Sequence, residues 1–363
     1  MMLVGRGLLP QLADLLRVEA DAGPREARYL MVDRGVEDVV ALSHGAVAEA
    51  GLRSAGTLVV DRFQADEPGK GMPAVQGGWD RMLAAGLDRT SRVVAVGGGI
   101  TCDVAGFIAA TWMRGVKLTL VPTTLLAMVD AALGGKTGIN RPLPDGGLGK
   151  NLVGAFWPAD LVICDTDTLA TLPDRELRAG LAECIKHGLI EGEETLASLE
   201  SELDGVLSRD PEVLPAFVAR SAGVKAEVVR RDFRESGERA LLNLGHTYAH
   251  AMESRSSLGL LHGEAVGIGL VAAAAASVAA GMASPALVER VRRLVDRCGL
   301  PVALPGVTEV VLTEMRRAMT LDKKVAGGVL RLVLMRGVGA VEVVSDPGSE
   351  VVDAGWAAVR TEG

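Results

Sequence analysis

Histidine is scarce in this chain, with five among 363 residues, yet three of the five fall between positions 246 and 262. In "NLGHTYAHAME", His246 and His250 are four apart, and on a helix such a pair projects from one face. His262 follows in "LHGEAVGIG". The zinc-protease pattern HExxH is not met, because Thr247 stands where its glutamate would be. Three histidines with carboxylates available still point to a metal. Two histidines and one carboxylate around a divalent ion would leave positions open for substrate oxygens, the arrangement of a catalytic rather than a structural site.

Other segments carry complementary chemistry. In "GLAECIKHG" Glu183 and Lys186 are three apart and share a helix face. Their apolar neighbours Leu181, Ala182, Ile185 and Leu189 argue against a solvated surface pair. "VVAVGGGITCDVAG" reads as a strand, a glycine turn and a helix start, where backbone amides attract anions, although GxGxxG is not matched. "VDAALGGKTGIN" and "GKNLVGAFWP" set Lys136 and Lys150 beside glycines. Neither fits the P-loop, but backbone donors plus an ammonium suit a phosphate. Arg114, Lys225, Arg239, Lys323 and Lys324 recur near these glycines and histidines, which suggests a small substrate with several negative charges.

These groups need a scaffold, and the chain supplies two kinds. Up to about residue 173, β-type runs alternate with helical stretches: "RYLMVD" (28–33), a helix over 36–51, "GTLVVD" (56–61), a helix at "WDRMLAAGLD", then "SRVVAVGGG", "DVAGFIAATWMRG", "KLTLVPTT" and "ADLVICD" (159–165). That alternation predicts an α/β domain with a mostly parallel sheet and ligands at the carboxyl ends of its strands. Pro173 followed by Asp174 is a helix start signal, and the texture from there is mainly helical. "GVLRLVLMRGVGAVEVV" reads as a hairpin with a glycine turn. The expected division is 1–173, a nucleotide-binding domain, and 174–363, a helical metal- and substrate-binding domain, packed around a shared cleft.

Composition excludes several classes. The net charge is −8 and there is no long basic run, which argues against nucleic acid as a partner. Hydrophobic residues make up 48%, enough for a large core. The four cysteines are scattered without CxxC pairs, as expected for reduced thiols in a cytoplasmic protein. No signal peptide is read at the N-terminus. "AVGIGLVAAAAASVAAGMA" has the length of a membrane span, but its ends carry no aromatic anchors and His262 and Glu264 precede it. A buried helix is expected instead, with no membrane partner.

Taken in order, "GGGITCDVAGFIAATWMRG", "VPTTLLAMVDAALGGKTGIN", "GKNLVGAFWP", "TLPDREL", "GLAECIKHG", "LLNLGHTYAHAME", "LHGEAVGIG" and "LDKKV" resemble 3-dehydroquinate synthase and its sugar phosphate cyclase relatives. The resemblance spans about residues 93–325 and implies an NAD-binding α/β domain followed by a helical domain holding zinc or cobalt. It implies conversion of 3-deoxy-D-arabino-heptulosonate 7-phosphate to 3-dehydroquinate and phosphate, a step of the shikimate pathway to aromatic amino acids. One site would perform oxidation by NAD, phosphate elimination, carbonyl reduction, ring opening and aldol closure. By this resemblance the metal ligands are Glu183, His246 and His262, with His250 facing substrate. Asp130, Lys186 and Glu235 match residues on the substrate hydroxyls. Lys136, Lys150, Asn151, Asn243 and Lys324 match the phosphate cluster, and Lys225 and Arg239 the carboxylate clamp. Arg114 matches a residue reaching the phosphate of a neighbouring subunit, which implies a homodimer. Gly98, Gly99, Asp103, Thr123 and Thr171 match NAD contacts, as do Asp33, Glu67 and Lys70.

The chain departs from the family pattern at three places. "RPLPDGGLG" lengthens the link between Asn140 and Lys150. Arg34-Gly35 stands where an asparagine is frequent, and Phe233 where an acidic residue is common. Cyclases of neutral sugar phosphates, 2-epi-5-epi-valiolone synthase among them, need no carboxylate clamp, so Lys225 and Arg239 favour a carboxylated substrate. The amino analogue used for aminoshikimate precursors keeps the same clamp. A metal-dependent polyol dehydrogenase would lack the GGKTG and GKN loops and would accumulate NADH.

Overall fold

The computed structural model describes residues 1–19, 27–36, 49, 51–53, 56–144, 147–304, 307–325 and 329–360. The chain divides into two compact units, Met1–Pro173 with Arg209–Ala222, and Asp174–Ser208 with Gly223–Gly363. Residues 209–222, placed by the sequence reading in the helical part, group with the first unit. The helix expected over 36–51 lies largely outside the described residues.

The first unit is built on strands β1 (Met2–Gly5), β2 (Arg28–Asp33), β3 (Leu58–Phe63), β4 (Arg92–Gly97), β5 (Lys117–Pro122), β6 (Lys136–Pro142), β7 (Leu148–Phe156) and β8 (Leu161–Asp165). Six of them form a parallel sheet in the order β1-β8-β5-β4-β2-β3. β4 and β8 are buried along their whole length, as central parallel strands with covered faces must be. Their apolar runs are what made them legible in the sequence. Leu9, Leu12 and Leu16 of the N-terminal segment pack against Leu30, Val94 and Ile163 of the sheet. Helices α1 (Leu12–Glu19), α2 (Met72–Ala84) and α3 (Gly99–Thr111) connect the early strands.

Strand order fixes where a ligand can bind. From β2 the chain winds outward to β3, whereas from β4 it winds the other way to β5 and β8. The winding reverses between β2 and β4. Ligands of open α/β sheets bind at such a reversal, outside the carboxyl ends of the strands. Those ends carry Asp33 and Gly97-Gly98-Gly99.

β6 and β7 form a separate antiparallel hairpin. The sequence suggested only glycine-rich phosphate loops here, because glycine depresses strand propensity and pairing is decided by the partner. The ladder persists through Arg141↔Gly149 and Pro142↔Leu148. Lys150 therefore lies on β7, two residues beyond the Pro142↔Leu148 pair.

The second unit holds α4 (Asp174–Glu191), α5 (Glu193–Leu207), the later part of α6 (Leu214–Arg231), α7 (His246–Glu253), α8 (His262–Ala279), α9 (Pro285–Arg297), α10 (Glu309–Val325) and α11 (Ser349–Ala358). It also holds the antiparallel pair β9 (Arg331–Gly337) and β10 (Ala340–Ser345), whose turn contains Gly339 at φ 76°. α4 begins at Asp174, directly after Pro173. α8 is long and apolar enough to cross a membrane, but 72% of it lies buried within the protein. Glycines let neighbours approach it. A Cβ on Gly263 would stand 1.9 Å from the Ala179 carbonyl of α4, and one on Gly269 would stand 2.2 Å from the Gly245 carbonyl before α7. The three helices that carry Glu183, His246 and His262 are thus held at backbone contact distance.

Candidate active site

The helical unit brings Glu183, His246 and His262 together. Glu183 is fully buried on α4. Its Oε1 lies 3.4 Å from His246 Nε2 and 3.4 Å from His262 Nε2. His246 Nδ1 lies 3.1 Å from the Leu244 carbonyl, and His262 Nδ1 lies 3.3 Å from Glu253 Oε2. With Nδ1–H donated outward, the neutral form of each ring turns its Nε2 lone pair toward Glu183. Oε1 has no hydrogen-bond donor among the described residues. Three electron-pair donors that converge without a proton donor fit a cation, and the carboxylate–imidazole set is that of zinc or cobalt.

The electrostatics agree. Burial pushes the Glu183 carboxyl up, but the Lys186 ammonium and the two imidazoles outweigh it and hold the group well below the usual carboxylate range. Lys186, one turn on and 1% exposed, contacts Glu183 Oε2 directly. Burial disfavours the His262 imidazolium, yet the hydrogen bonds that this protonated ring donates to the Glu183 and Glu253 carboxylates raise it to about 10. A proton and a divalent cation compete for that nitrogen. Arg175 of α4 grips both oxygens of Glu264 at 2.7 Å and the Gly259 carbonyl at 2.8 Å, while Glu264 accepts the Leu261 N–H at 2.8 Å. This clamp fixes the start of α8, where His262 sits.

Glu253 was quoted in the sequence but given no role. Its signal was spacing, since it lies seven residues after His246 on the same helix face. Glu253→Gln keeps the shape but removes the charge facing His262 Nδ1. The expected result is about tenfold weaker metal binding, measured by competition with a chromogenic chelator.

His250 is exposed, with its ring centroid 5.6 Å from that of His246. It shares the face of the triad without joining it. Glu235, in left-handed backbone at φ 58°, accepts Asn243 Nδ2 at 3.0 Å. Asp232 gathers the N–H groups of Ser236, Gly237 and Arg239 and so folds this turn. Arg239 is 2% exposed and donates to the Phe233 carbonyl at 2.5 Å. Position 233 contributes its backbone, so the phenylalanine leaves that contact intact. Lys225 is also buried. The side chain of Lys324 lies outside the described residues.

In the α/β unit the glycines form a strand-to-helix turn. α3 starts at Gly99 with Gly98 as its cap and no side chain closing the first-turn amides. A Cβ on Gly97 would stand 2.9 Å from the Asp33 Cβ and 2.6 Å from Thr101 Oγ1. The turn is open only because no side chain fills it, as a pyrophosphate cradle requires. The hydroxyls of Thr101 and Thr123 are buried with no hydrogen-bond partner among the described residues. Burial raises the Asp33 carboxyl, opposed by the Gly35 and Ala65 N–H groups. Gly35 thus caps Asp33 through its backbone. Thr171 ends a 3-10 turn whose Leu169 and Leu172 carbonyls are held by Arg209.

Polar contacts link Lys70 to Asp103 and Asn151, and Lys150 to Glu67. Lys70, 5% exposed, donates to Asp103 Oδ2 at 2.5 Å and Asn151 Oδ1 at 2.6 Å. Lys150 lies 3.6 Å from Glu67 Oε1. Asn140, given no role by the sequence reading, is buried among them; only its side-chain contacts reveal it. Lys136 is exposed at the start of β6, and Asp130 sits in a π-helical turn, Ala127–Ala131, a form frequent at functional sites. Arg114 is exposed in a kink with Met113 at φ 49° and Arg114 at φ 69°. Arg114, Asn151 and Glu235 all hold positive φ, a conformation that neighbouring contacts must fix in a non-glycine residue.

Comparison with known proteins places this geometry in a family. Residues 61–179 match 3-dehydroquinate synthase N-terminal and residues 180–325 match 3-dehydroquinate synthase C-terminal. The chain is 43% identical over 359 residues to the 3-dehydroquinate synthase of Symbiobacterium thermophilum, covering 98% of this chain and 97% of that one. It is 44% identical to that of Xylella fastidiosa, covering 94% and 86%. Among solved structures, a 2-epi-5-epi-valiolone synthase from Streptomyces hygroscopicus with NAD+ and Zn2+ bound superposes with a TM-score of 0.85 at 28% identity, covering 99% and 96%. A 2-deoxy-scyllo-inosose synthase with carbaglucose-6-phosphate, NAD+ and Co2+ gives 0.82 at 27%, covering 98% and 96%. A probable glycerol dehydrogenase from Sinorhizobium meliloti, at 17% and 0.63 with 98% and 95% covered, shares the fold.

Proposed function

The chain belongs to the 3-dehydroquinate synthase family, and we propose how its residues divide that family's work. It is a carbon–oxygen lyase and cyclase whose cofactors are NAD and a divalent metal, zinc or cobalt. Its substrate is the seven-carbon heptulosonate phosphate and its products are 3-dehydroquinate and phosphate. The observation that carries this reading is the convergence of two imidazole Nε2 atoms on the buried Glu183 Oε1, at 3.4 Å each. The cyclases of neutral sugars are less favoured, because Lys225 and Arg239 are both retained and buried, ready for a carboxylate.

Glu183, His246 and His262 would hold the metal, which would polarise the hydroxyl being oxidised, and NAD would supply the hydride acceptor and donor. The chain's own residues hold the rest still. Lys186, Asp130, Glu235 and His250 hydrogen-bond the substrate hydroxyls and fix which carbinol faces the cofactor. Lys225 and Arg239 hold the carboxylate. Lys136, Lys150, Asn151, Asn243 and Lys324 hold the phosphate. Gly98, Gly99, Asp103, Thr123, Thr171, Asp33, Glu67 and Lys70 serve the dinucleotide. Once the carbinol is a ketone, the adjacent C–H is acidified, and the phosphate of the substrate itself can accept that proton before leaving. Oriented charges on a multiply anionic substrate then account for most of the acceleration.

The assay is anaerobic, with NAD and added zinc or cobalt. Phosphate release from the heptulosonate phosphate without lasting NADH is the expected result. Lasting NADH without phosphate would instead assign a polyol dehydrogenase, and preference for the amino analogue or sedoheptulose 7-phosphate would reassign the substrate.

We further propose a cytoplasmic homodimer in which Arg114 reaches the phosphate of the other subunit. β7 supports this, since Leu152 is 63% and Phe156 44% exposed on a strand at the edge of a two-stranded sheet, with Met113 at 42% exposed beside Arg114 in sequence. Exposed apolar edges of this kind are covered in stable proteins. Leu152→Asp is expected to shift sedimentation from dimer to monomer and to lower activity with it; an active monomer would overturn the shared site.

A further inference from the structure

We propose that Asn140 is a positioning residue that locks the cofactor turn and the phosphate strand into one unit; this rests on the roles proposed above for Glu67, Lys70, Lys150 and Asn151. Asn140 lies on β6 and is 3% exposed. The β6–β7 ladder shifts register between Ile139 and Arg141, so Asn140 is released from strand pairing. Such irregularities re-aim side chains beside active sites. The freed backbone N–H donates to the Lys70 carbonyl at 2.8 Å.

Both ends of its amide are used. Nδ2 donates to Glu67 Oε2 at 2.6 Å and to the Glu67 carbonyl at 3.2 Å. Oδ1 accepts the Asn151 N–H at 3.1 Å. One buried side chain therefore holds the Glu67–Lys70 turn on one side and the backbone of Asn151 on the other. Asn151 sits at φ 55°, a conformation that persists only where neighbours fix it. Lys70 supplies the second hold, 2.6 Å from Asn151 Oδ1. With Oδ1 engaged, the Asn151 amide presents N–H donors, the polarity an anionic phosphate needs. The donor and acceptor of Asn140 are both required, so neither aspartate nor leucine can replace it alone.

The test inverts the Glu67 hydrogen bond. Asn140→Asp keeps the acceptor for Asn151 but sets a carboxylate 2.6 Å from that of Glu67. Glu67→Gln added to it restores a donor–acceptor pair with direction reversed. Dissociation constants for NAD and for inorganic phosphate are measured by calorimetry on the metal-loaded protein, with melting temperatures alongside. N140D is expected to weaken both ligands about tenfold, and the double variant to regain phosphate affinity to within about twofold of E67Q alone. A merely structural asparagine would not give that rescue. Asn140→Ala, which adds no charge, is expected to weaken both ligands as well and keeps the test valid should N140D fold poorly. Loss of one ligand only, or a double variant no better than the product of the singles, overturns the proposal. Should Lys150→Ala leave phosphate binding and E67Q leave NAD binding unchanged, the underlying roles fall and the inference with them. Should those singles weaken binding while both Asn140 variants bind normally, the inference alone falls.

Discussion

His262→Ala is expected to lose bound metal and turnover together while the protein stays folded. His262 supplies one of the three electron-pair donors of the Glu183, His246 and His262 set. A zinc affinity on the order of 10 kcal/mol shared by three ligands assigns about 3 kcal/mol to each, or a loss of roughly 100-fold. The fold should survive, because His262 stands at the first turn of α8 with a side chain 31% exposed, whereas the packing of α8 comes from later residues such as Ile268, Leu270 and Val271. Metal at about 1,000 times its dissociation constant stabilises the wild type by about 4 kcal/mol, and this increment should vanish in the variant. Equilibrium dialysis, phosphate release and a melting curve with and without zinc read all three effects. A variant that retains tight stoichiometric metal would refute the ligand assignment.

Gly263→Ala is expected to damage the same site without touching a ligand. The added Cβ would stand 1.9 Å from the Ala179 carbonyl oxygen and 2.6 Å from the Ala179 Cα. Those are backbone atoms inside α4, which cannot swing aside as a side-chain tip can. The start of α8 must retreat, and Ala179 lies one helical turn before Glu183. His262 then moves away from Glu183 Oε1, and 3.4 Å is about the separation that two donors keep around one tetrahedral ion at ~2.1 Å from each, so the retreat opens a site that already has the right span. Overpacking of this kind costs about 3 kcal/mol, and a metal affinity lower by tenfold or more should accompany it. Gly223→Ala is the control. It lies within α6 with open space where its Cβ would stand, so alanine should be neutral or stabilise by up to about 1 kcal/mol. If G263A melts and binds zinc like G223A, the close approach of α8 to α4 does not set the site.

Much of this molecule was written into its sequence because the signals are local. The apolar runs of β2, β4, β5 and β8, alternating with helical stretches, read as strands of a mostly parallel sheet, and Pro173-Asp174 marked the start of α4. Gly339 marked the β9–β10 turn. His246 and His250 declared a shared helix face by spacing alone, and ordered motifs then carried the family and its metal ligands. Tertiary structure decided what depends on partners distant in the chain. β6 and β7 pair despite glycines that a local reading assigns to loops, because cross-strand hydrogen bonds outweigh intrinsic propensity. Sequence spacing could not tell that His250 stays exposed while His262, on another helix, closes on Glu183; that follows from helices brought into contact at Gly263 and Gly269. Glu253 and Asn140 acquire meaning only through the atoms opposite them. A residue's type and spacing fix what chemistry it can offer, but a site forms only where packing carries separate elements to within a few ångströms of each other.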